Sequence, residues 1–283
     1  MNILVTGANG QLGNSVRKIS SDYPQHKFLF TDMPEVDITD LSLLENLVKK
    51  EDIGAIINCA AFTAVDKAES CEELAGKINV DGPKNLAIAA KSVGAKLIHI
   101  STDYVFDGQS SLPLKETDAT QPIGVYGKTK RQGEIEVEKV GCDAIIIRTA
   151  WLYSEYGNNF VKTMIRLGKE RDSLNVVYDQ IGTPTYATDL ALAIMTLLEK
   201  GFRGFDIYHF SNEGVISWFD FTKSIFEITG LKTQVNAIES FEYPTAAQRP
   251  AYSVLNKRKI KDAGVKVPYW KDSLKQCISI LEK

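Results

Sequence analysis

Short apolar runs alternate with amphipathic stretches through the first half of the chain. Five runs predict strands, at Asn2–Thr6, Lys27–Thr31, Ala55–Cys59, Lys96–Ser101 and Ala144–Thr149. The runs are mostly continuously apolar, a pattern typical of parallel strands that are covered on both faces. Helices are predicted between them at Gln11–Ser21, Asp40–Glu51, Glu72–Val93 (interrupted near Gly82-Pro83) and Lys128–Val140. This alternation predicts an α/β fold with a Rossmann-like, doubly wound parallel sheet.

The alternation breaks after Thr149. Residues 151–185 are rich in aromatic and turn residues, with a helix at about Phe160–Leu167 and an isolated strand near Leu174–Tyr178. A helix at Thr188–Lys200 and a strand at Asp206–Phe210 then return to the main sheet, before a helix at Phe219–Gly230 and an irregular, then helical, tail. We therefore expect a sheet domain of residues 1–150 plus about 186–209. A smaller, discontinuous C-terminal lobe of about 151–185 and 210–283 would complete the chain.

Composition excludes several classes of function. The net charge of −3 and the lack of a large basic patch give no support for a nucleic-acid or membrane partner. No apolar run approaches the ~20 residues that span a bilayer, and Met1 leads directly into the first predicted strand, which leaves no room for a signal peptide. Four cysteines and three histidines are scattered without ligand spacing. We expect free thiols, a cytoplasmic location and no metal site.

The glycine-rich segment TGANGQLG, residues 6–13, lies between the first predicted strand and helix. Gly7, Gly10 and Gly13 recur at a spacing of three. A helix N-terminus offers unpaired N–H groups to a pyrophosphate, and glycines let the backbone approach the ligand closely. The GxxGxxG spacing is also compatible with a simple tight turn, so the segment alone leaves both interpretations open.

An acidic residue at the end of the second strand favours a dinucleotide. Asp32 follows Gly7 by 25 residues, where a carboxylate can accept hydrogen bonds from adenosine ribose hydroxyls. No Arg or Lys follows it in MPEVDITD to bind a 2′-phosphate. The pattern favours NADH, with NADPH possible because Arg17 and Lys18 could approach a 2′-phosphate. A loop acid without a ligand is the alternative for Asp32.

A tyrosine and a lysine share one predicted helix face. Tyr126 and Lys130 stand at i and i+4 in PIGVYGKTK, so their side chains are neighbours. A nearby ammonium is expected to lower the pKa of the phenol and make it a usable general acid or base. Thr102, at the end of the fourth strand, is expected at the same edge of the sheet. Taken alone, a YxxxK pair occurs often by chance, and an exposed surface pair is then its default interpretation.

Longer motifs give a more specific resemblance. The chain resembles the dTDP-4-dehydrorhamnose reductase family of the extended short-chain dehydrogenases/reductases over nearly its whole length. The segments that carry the resemblance are VTGANGQLG, VDITD (36–40), NCAAFTAVDKAE (58–69), INVDGPKNLA (78–87), STDYVFDG (101–108), YGKTKRQGE (126–134), RTAWLY (148–153), QIGTPT (180–185), SNEGVISWFDF (211–221) and AQRPAYSVLN (247–256). STDYVFDG, RTAWLY and RPAYSVL are more specific than the glycine segment.

The resemblance implies a role for each matching residue. The catalytic group would be Thr102, Tyr126 and Lys130. The cofactor would contact the glycine segment (Gly7, Gly10, Gln11, Leu12 and Gly13), Asp32, Asp37, Ile38, Ala61, Phe62, Thr63, Tyr126 and Lys130. The sugar nucleotide would contact Val65, Thr102, Asp103, Tyr126 and Trp151, and Arg249 would pair with its diphosphate. Core packing for Trp151 and a surface ion pair for Arg249 are the structural alternatives.

The implied activity is NAD(P)H-dependent reduction of the C4 ketone of dTDP-6-deoxy-L-lyxo-4-hexulose to dTDP-L-rhamnose. The alternatives are a sugar-nucleotide 4-epimerase or dehydratase, and a non-catalytic NAD(P)-binding regulatory subunit of the methionine adenosyltransferase type. Some family members form a metal-bridged dimer through acids on the first helix. Asn14 and Ser15 stand at that place here, so we expect a monomer or a homodimer without a bridging metal.

Overall fold

The computed structural model describes residues 1–282, which form twelve strands and eleven α-helices. The strands are β1 (Asn2–Thr6), β2 (Lys27–Phe30), β3 (Ile53–Asn58), β4 (Lys96–Thr102), β5 (Ala144–Thr149), β6 (Leu152–Tyr153), β7 (Ser173–Val177), β8 (Ile181–Gly182), β9 (Thr185–Tyr186), β10 (Phe205–His209), β11 (Ile216–Ser217) and β12 (Gln234–Ile238). The helices are α1 (Gln11–Ile19), α2 (Leu41–Lys50), α3 (Val65–Ala68), α4 (Glu72–Gly76), α5 (Gly82–Val93), α6 (Val125–Val140), α7 (Phe160–Glu170), α8 (Ala187–Lys200), α9 (Trp218–Thr229), α10 (Arg258–Asp262) and α11 (Trp270–Leu281).

Six of the strands form one parallel sheet. Its order is β10-β5-β4-β3-β1-β2, with parallel pairing throughout. The order reverses direction next to β1, which makes the sheet doubly wound and opens a crevice at the carboxyl ends of β1 and β3. The expected fold class is confirmed.

Helices cover both faces of this sheet. On one face, α1 and α8 pack against side chains such as Ile3, Val5 and Ile57. On the other face, α2, α5 and α6 pack against side chains such as Leu4 and Ile56. Neighbouring residues of one strand therefore point into different cores. This arrangement explains why the strands read as continuously apolar rather than alternating.

The remaining elements build a smaller group around a separate aromatic core. Tyr153, Phe221 and Trp270 are buried at its centre. The strand expected near Leu174–Tyr178 is present as β7, but it is not isolated, because it pairs in parallel with β12. The sequence pattern missed β12, since QVNAI mixes polar and apolar residues.

The long helix expected at Glu72–Val93 is divided by a π-helical turn at Lys77–Asp81. The interruption therefore begins before the Gly82-Pro83 pair that suggested it. Such turns place an extra residue in the helix and are frequent at functional sites. Across residues 1–282, none of the helices combines the length and the apolar character that a bilayer crossing requires.

Candidate active site

A cleft of about 830 Å³ opens at the carboxyl ends of the central strands. Its walls come from the loops after β1, β2, β3, β4 and β5, and from α6. The structure brings together most of the residues that the sequence singled out. Those that line the cleft are Gly7, Gly10, Gln11, Leu12, Asp32, Asp37, Ile38, Ala61, Thr63, Val65, Thr102, Asp103, Tyr126, Lys130 and Trp151.

The glycine segment forms a turn that leaves the start of α1 open. Gly7 has φ +64°, and a Cβ there would lie 2.5 Å from the Ala60 nitrogen. A Cβ on Gly13 would lie 2.5 Å from Ala8 Cα, so packing requires both glycines. Gly10 is the N-cap of α1 and provides no side-chain cap. The N–H groups of the first helical turn, together with the helix dipole, therefore fit a pyrophosphate.

Two carboxylates occupy the cleft wall after β2. Asp32 accepts hydrogen bonds from the backbone N–H groups of Asn9 and Met33, each at 2.8 Å. Asp37 accepts the N–H and the hydroxyl of Thr39, also at 2.8 Å, and these hydrogen bonds lower the pKa of its carboxyl. This wall therefore carries negative charge at neutral pH. Arg17 is not among the residues that line the cleft; its guanidinium lies 4.4 Å from the centre of the Phe30 ring.

Tyr126 and Lys130 lie on α6, as the YxxxK spacing predicted. The Lys130 ammonium nitrogen donates to the Ile100 carbonyl at 2.6 Å, and the Tyr126 ring meets the Tyr104 ring edge-on with centroids 5.4 Å apart. Burial raises the pKa of Tyr126 well above its ordinary value, against a smaller opposing effect of the Thr102 hydroxyl. The expectation of a lowered pKa for Tyr126 is therefore wrong in this structure. A phenol that stays protonated is suited to donate a proton.

Thr102 and Asp103 complete this part of the cleft. The Thr102 hydroxyl donates to Asp103 Oδ1 at 2.9 Å. Burial raises the pKa of Asp103 to about 6, against smaller lowering effects of the nearby Ser253 and Thr102 hydroxyls. Within residues 1–282 its Oδ2 has no partner in good hydrogen-bond geometry. A buried polar atom without a partner is costly. Asp103 is therefore an open acceptor beside Tyr126 for a polar ligand.

Trp151 is held in an unusual conformation at the other side of the cleft. Its backbone has φ +48°, which is strained for a large side chain. The indole stacks on Trp218 with centroids 3.6 Å apart. A Cβ on Gly182 would lie 2.7 Å from the Trp151 ring, so that glycine makes room for the indole. Trp151 is thus both a packed residue and part of the cleft wall.

Three of the expected residues are outside the lining of the cleft. Gly13 packs beneath the turn, and the backbone of Phe62 is bonded to the Asn79 side chain at 2.8 and 3.1 Å. Arg249 forms an ion pair with Asp66 and reaches the Tyr104 hydroxyl at 3.4 Å. The ion pair that was the alternative for Arg249 is therefore present, although it lies next to the cleft.

Several residues with structural roles at the site were not predicted. Asn58 and His99 are buried polar residues inside strands, and no local spacing distinguishes them from ordinary core residues. Lys77 reaches the cleft from the π-helical turn. Asn79 joins that turn to α6 by donating to the Thr129 hydroxyl at 3.2 Å. Only the register of the strands and the shape of the turn bring these residues to the site.

A doubly wound parallel sheet, an open glycine turn and a Thr–Tyr–Lys group at one sheet edge together define an extended short-chain dehydrogenase/reductase. The family model described as RmlD substrate binding domain matches residues 1–283. A dTDP-4-dehydrorhamnose reductase of Aggregatibacter actinomycetemcomitans is 44% identical over 96% of this chain and 97% of its own length. The chain therefore belongs to the dTDP-4-dehydrorhamnose reductase family, as the sequence motifs indicated.

Solved structures agree with this assignment. A dTDP-4-dehydrorhamnose reductase of Clostridium acetobutylicum is 44% identical and superposes with a TM-score of 0.96 over 100% of both chains. The corresponding protein of Bacillus anthracis, solved in complex with NADP, is 41% identical with a TM-score of 0.95 over 99% of both chains. The fold and its connections are thus shared over the whole chain.

Proposed function

We propose that this protein catalyses the NAD(P)H-dependent reduction of the C4 ketone of dTDP-6-deoxy-L-lyxo-4-hexulose. The product is dTDP-L-rhamnose, and the reaction is the last step of its synthesis. The observation that carries the proposal is the meeting of Thr102, Tyr126 and Lys130 beside an open glycine turn, in a chain of this family.

In this reaction Tyr126 donates a proton to the C4 oxygen of the sugar. Burial keeps the phenol protonated. The Thr102 hydroxyl, which donates to Asp103 Oδ1 in this structure, turns to donate to the same sugar oxygen as negative charge develops on it. Lys130 holds the nicotinamide ribose and stabilises the tyrosinate that forms. The reduced nicotinamide, when bound, supplies the hydride, while the protein orients the reactants and moves the proton.

The two ends of the cleft receive different parts of the ligands. Gly7, Gly10, Gln11 and Leu12 face the pyrophosphate of the cofactor, while Asp37, Ile38, Ala61, Phe62 and Thr63 line or support its nucleoside part. Val65, Asp103 and Trp151 contact the sugar nucleotide, and Arg249 pairs with its diphosphate. Residues 1–150 and about 186–209 then form the dinucleotide-binding domain, and about 151–185 and 210–283 form the substrate lobe.

NADH is the preferred cofactor in this proposal, and NADPH is also accepted. The support is the charge of the wall after β2, where Asp32 and Asp37 would repel a 2′-phosphate. The NADP in the Bacillus anthracis structure is the reason to retain NADPH.

A cytoplasmic location is also part of this proposal; within residues 1–282 the four cysteines are free, which is compatible with a reducing compartment. A monomer or a homodimer without a bridging metal remains the expected assembly.

The test is an assay of reduced-nicotinamide oxidation with freshly generated dTDP-6-deoxy-L-lyxo-4-hexulose. NADH and NADPH are run in parallel, and the sugar product is identified by NMR. We expect stoichiometric oxidation, dTDP-L-rhamnose as product and a higher kcat/KM with NADH. Isomerisation without net oxidation would identify an epimerase instead. Binding of NADH without turnover, together with capture of a methionine adenosyltransferase, would identify a regulatory subunit.

A further inference from the structure

Three polar side chains stand side by side at the carboxyl end of the sheet. Thr6, Asn58 and His99 are register partners on β1, β3 and β4, so their side chains point to the same face. Each is at most 2% exposed. The row ends at Lys130, whose Nζ lies 3.4 Å from His99 Nε2. The proposed function gives a role to Lys130 and none to the row.

The backbone fixes the orientation of the Asn58 amide. The Ala60 N–H and the Thr6 hydroxyl donate to Asn58 Oδ1 at 3.0 and 2.8 Å. Because an N–H group can only donate, the end of the amide that faces Ala60 must be the oxygen. Asn58 Nδ2 is therefore the end that faces His99 Nδ1, at 2.9 Å, and donates to it.

The tautomer of His99 follows from this contact. Since Nδ1 accepts a hydrogen bond, the neutral ring carries its proton on Nε2. Burial and the charge of Lys130 lower the pKa of His99 well below its ordinary value, so the ring is neutral at physiological pH. The Nε2–H group therefore faces Lys130 Nζ. A neutral amine has a lone pair that accepts this hydrogen, whereas an ammonium has none.

We propose that His99, held by Asn58 as the Nε2–H tautomer, disfavours the ammonium form of Lys130 and so allows Lys130 to exchange its proton during turnover. His99 is a positioning residue, because it acts through Lys130. The inference rests on the proposed function for the use of that proton. After Tyr126 has protonated the sugar oxygen, Lys130 passes a proton to the tyrosinate and becomes a neutral amine. A proton from bulk solvent, passed along water in the cleft, then restores the ammonium, so that one solvent proton is consumed per turnover.

The row tunes the charge of Lys130 and does not conduct protons. An amide does not release a proton at neutral pH, so no proton passes from His99 through Asn58. The proton on Lys130 must therefore exchange on the other side, in the cleft that Lys130 lines.

Other charged and titratable groups also act on this part of the site. Burial lowers the pKa of Lys130, the charge of Glu134 one turn further along α6 raises it by less, and the net value is about 8. Glu134 is itself paired with Arg148 and Arg131. From the end of β4 and the turn after it, Asp103 and Tyr104 face Tyr126 and act on its pKa. Variants that test the row therefore leave all of these groups in place.

The tautomer can be measured without any turnover. NMR of protein labelled with ¹⁵N in the histidine rings reports which ring nitrogen carries the proton, and the chain has three histidines. We expect the Nε2–H form for His99 in the wild type. In Asn58→Asp the carboxylate should accept from Nδ1–H and reverse the tautomer. Thr6→Val is the matched control, because the Ala60 N–H still orients the Asn58 amide. A wild-type His99 protonated on Nδ1 would overturn the proposal.

The effect on Lys130 is measured in two ways. One is the NMR titration of Lys130 Cε, assigned by its loss in Lys130→Met, and the other is the alkaline limb of the pH profile of kcat/KM. We expect His99→Gln, which adds no charge, and Asn58→Asp to raise the pKa of Lys130 by about one unit. Thr6→Val should leave it unchanged. An unchanged Lys130 pKa in His99→Gln would overturn the proposal.

The two readouts separate this inference from the proposed function. If the tautomer and the Lys130 titration behave as expected but no sugar is reduced, the tuning of Lys130 holds and the assigned reaction fails. If the sugar is reduced but His99→Gln moves neither the titration nor the pH profile, the reaction holds and the role of His99 fails.

Discussion

At the scale of single residues, the buried carboxyl of Asp103 makes stability depend on pH. Its pKa is raised to about 6 in the folded protein by burial, above its value in an unfolded chain, so the folded state holds the proton more tightly. Its contribution to stability is therefore present at low pH and lost as the pH rises through 6. Between pH 5 and pH 8 the free energy of unfolding that Asp103 contributes falls by about 1.4 kcal/mol.

Asp103→Asn should remove this dependence. Urea unfolding of the wild type and the variant at both pH values measures the difference. The variant should gain about 1.4 kcal/mol relative to the wild type on going from pH 5 to pH 8. A constant difference between the two proteins across this range would contradict the raised pKa.

The ion pair of Arg249 with Asp66 bears on substrate affinity. If Arg249 binds the diphosphate of the sugar nucleotide, Arg249→Lys should raise KM for that substrate about tenfold, because an ammonium lacks the planar pair of donors. Asp66→Asn should lower the same KM, since it releases the guanidinium from its partner. The Kd for NADH, measured by fluorescence titration, should not change in either variant. An unchanged KM in both variants would show that Arg249 does not bind the diphosphate and forms only the ion pair with Asp66.

At the scale of elements, the placement of Tyr126 depends on close packing of α6 against the turn after β4. A Cβ on Gly127 would lie 2.1 Å from the Tyr104 carbonyl oxygen. Because this oxygen belongs to the backbone, the clash can be removed only if the helix or the turn shifts. Gly127→Ala should therefore cost about 1–3 kcal/mol of stability and lower kcat, because the helix that carries Tyr126 and Lys130 must shift.

Gly76→Ala is the matched control for that change. Gly76 is also helical, but a Cβ there would meet no atom of residues 1–282 within 4 Å. This variant should gain up to about 1 kcal/mol from helix propensity and keep its activity. Urea unfolding and steady-state kinetics of the two variants check both statements. A similar effect of the two substitutions would mean that the packing of α6 does not control the site.

The sequence predicted elements well where local pattern decides them and poorly where pairing decides them. The continuously apolar strands β1, β3, β4 and β5 stand close to their expected positions because burial on both faces leaves a local signature. The pairing of β7 with β12 left no such signature, since it joins segments 61 residues apart, as in Ser173 and Gln234. The π-helical turn at Lys77–Asp81 likewise left no compositional signature; it contacts α6 through the Asn79 side chain, which donates to the Thr129 hydroxyl.

At the scale of the whole molecule, the sequence motifs predicted many of the residues that line the cleft, but they did not predict the hydrogen bonds among the buried polar side chains behind it. Motif order along the chain placed Thr102, Tyr126 and Lys130 together, because parallel strands bring their carboxyl ends to one edge. Asn58 and His99 could not be predicted to meet, because their contact needs the register of two strands. The direction of the Tyr126 pKa shift was predicted wrongly for the same kind of reason, since burial of the phenol raises this pKa.

The central claim is that this protein holds its cofactor mainly with the glycine segment and the wall after β2, and that Tyr126 protonates the sugar. The most direct test compares Tyr126→Phe with the wild type in NADH binding and in single-turnover reduction of the keto sugar. Tyr178→Phe is the control, because its hydroxyl contacts Glu239 at the surface. We predict that Tyr126→Phe lowers the rate of reduction by about 10²–10⁴-fold, the contribution typical of a general acid, and leaves the Kd for NADH nearly unchanged. A near-normal rate in Tyr126→Phe would contradict the account.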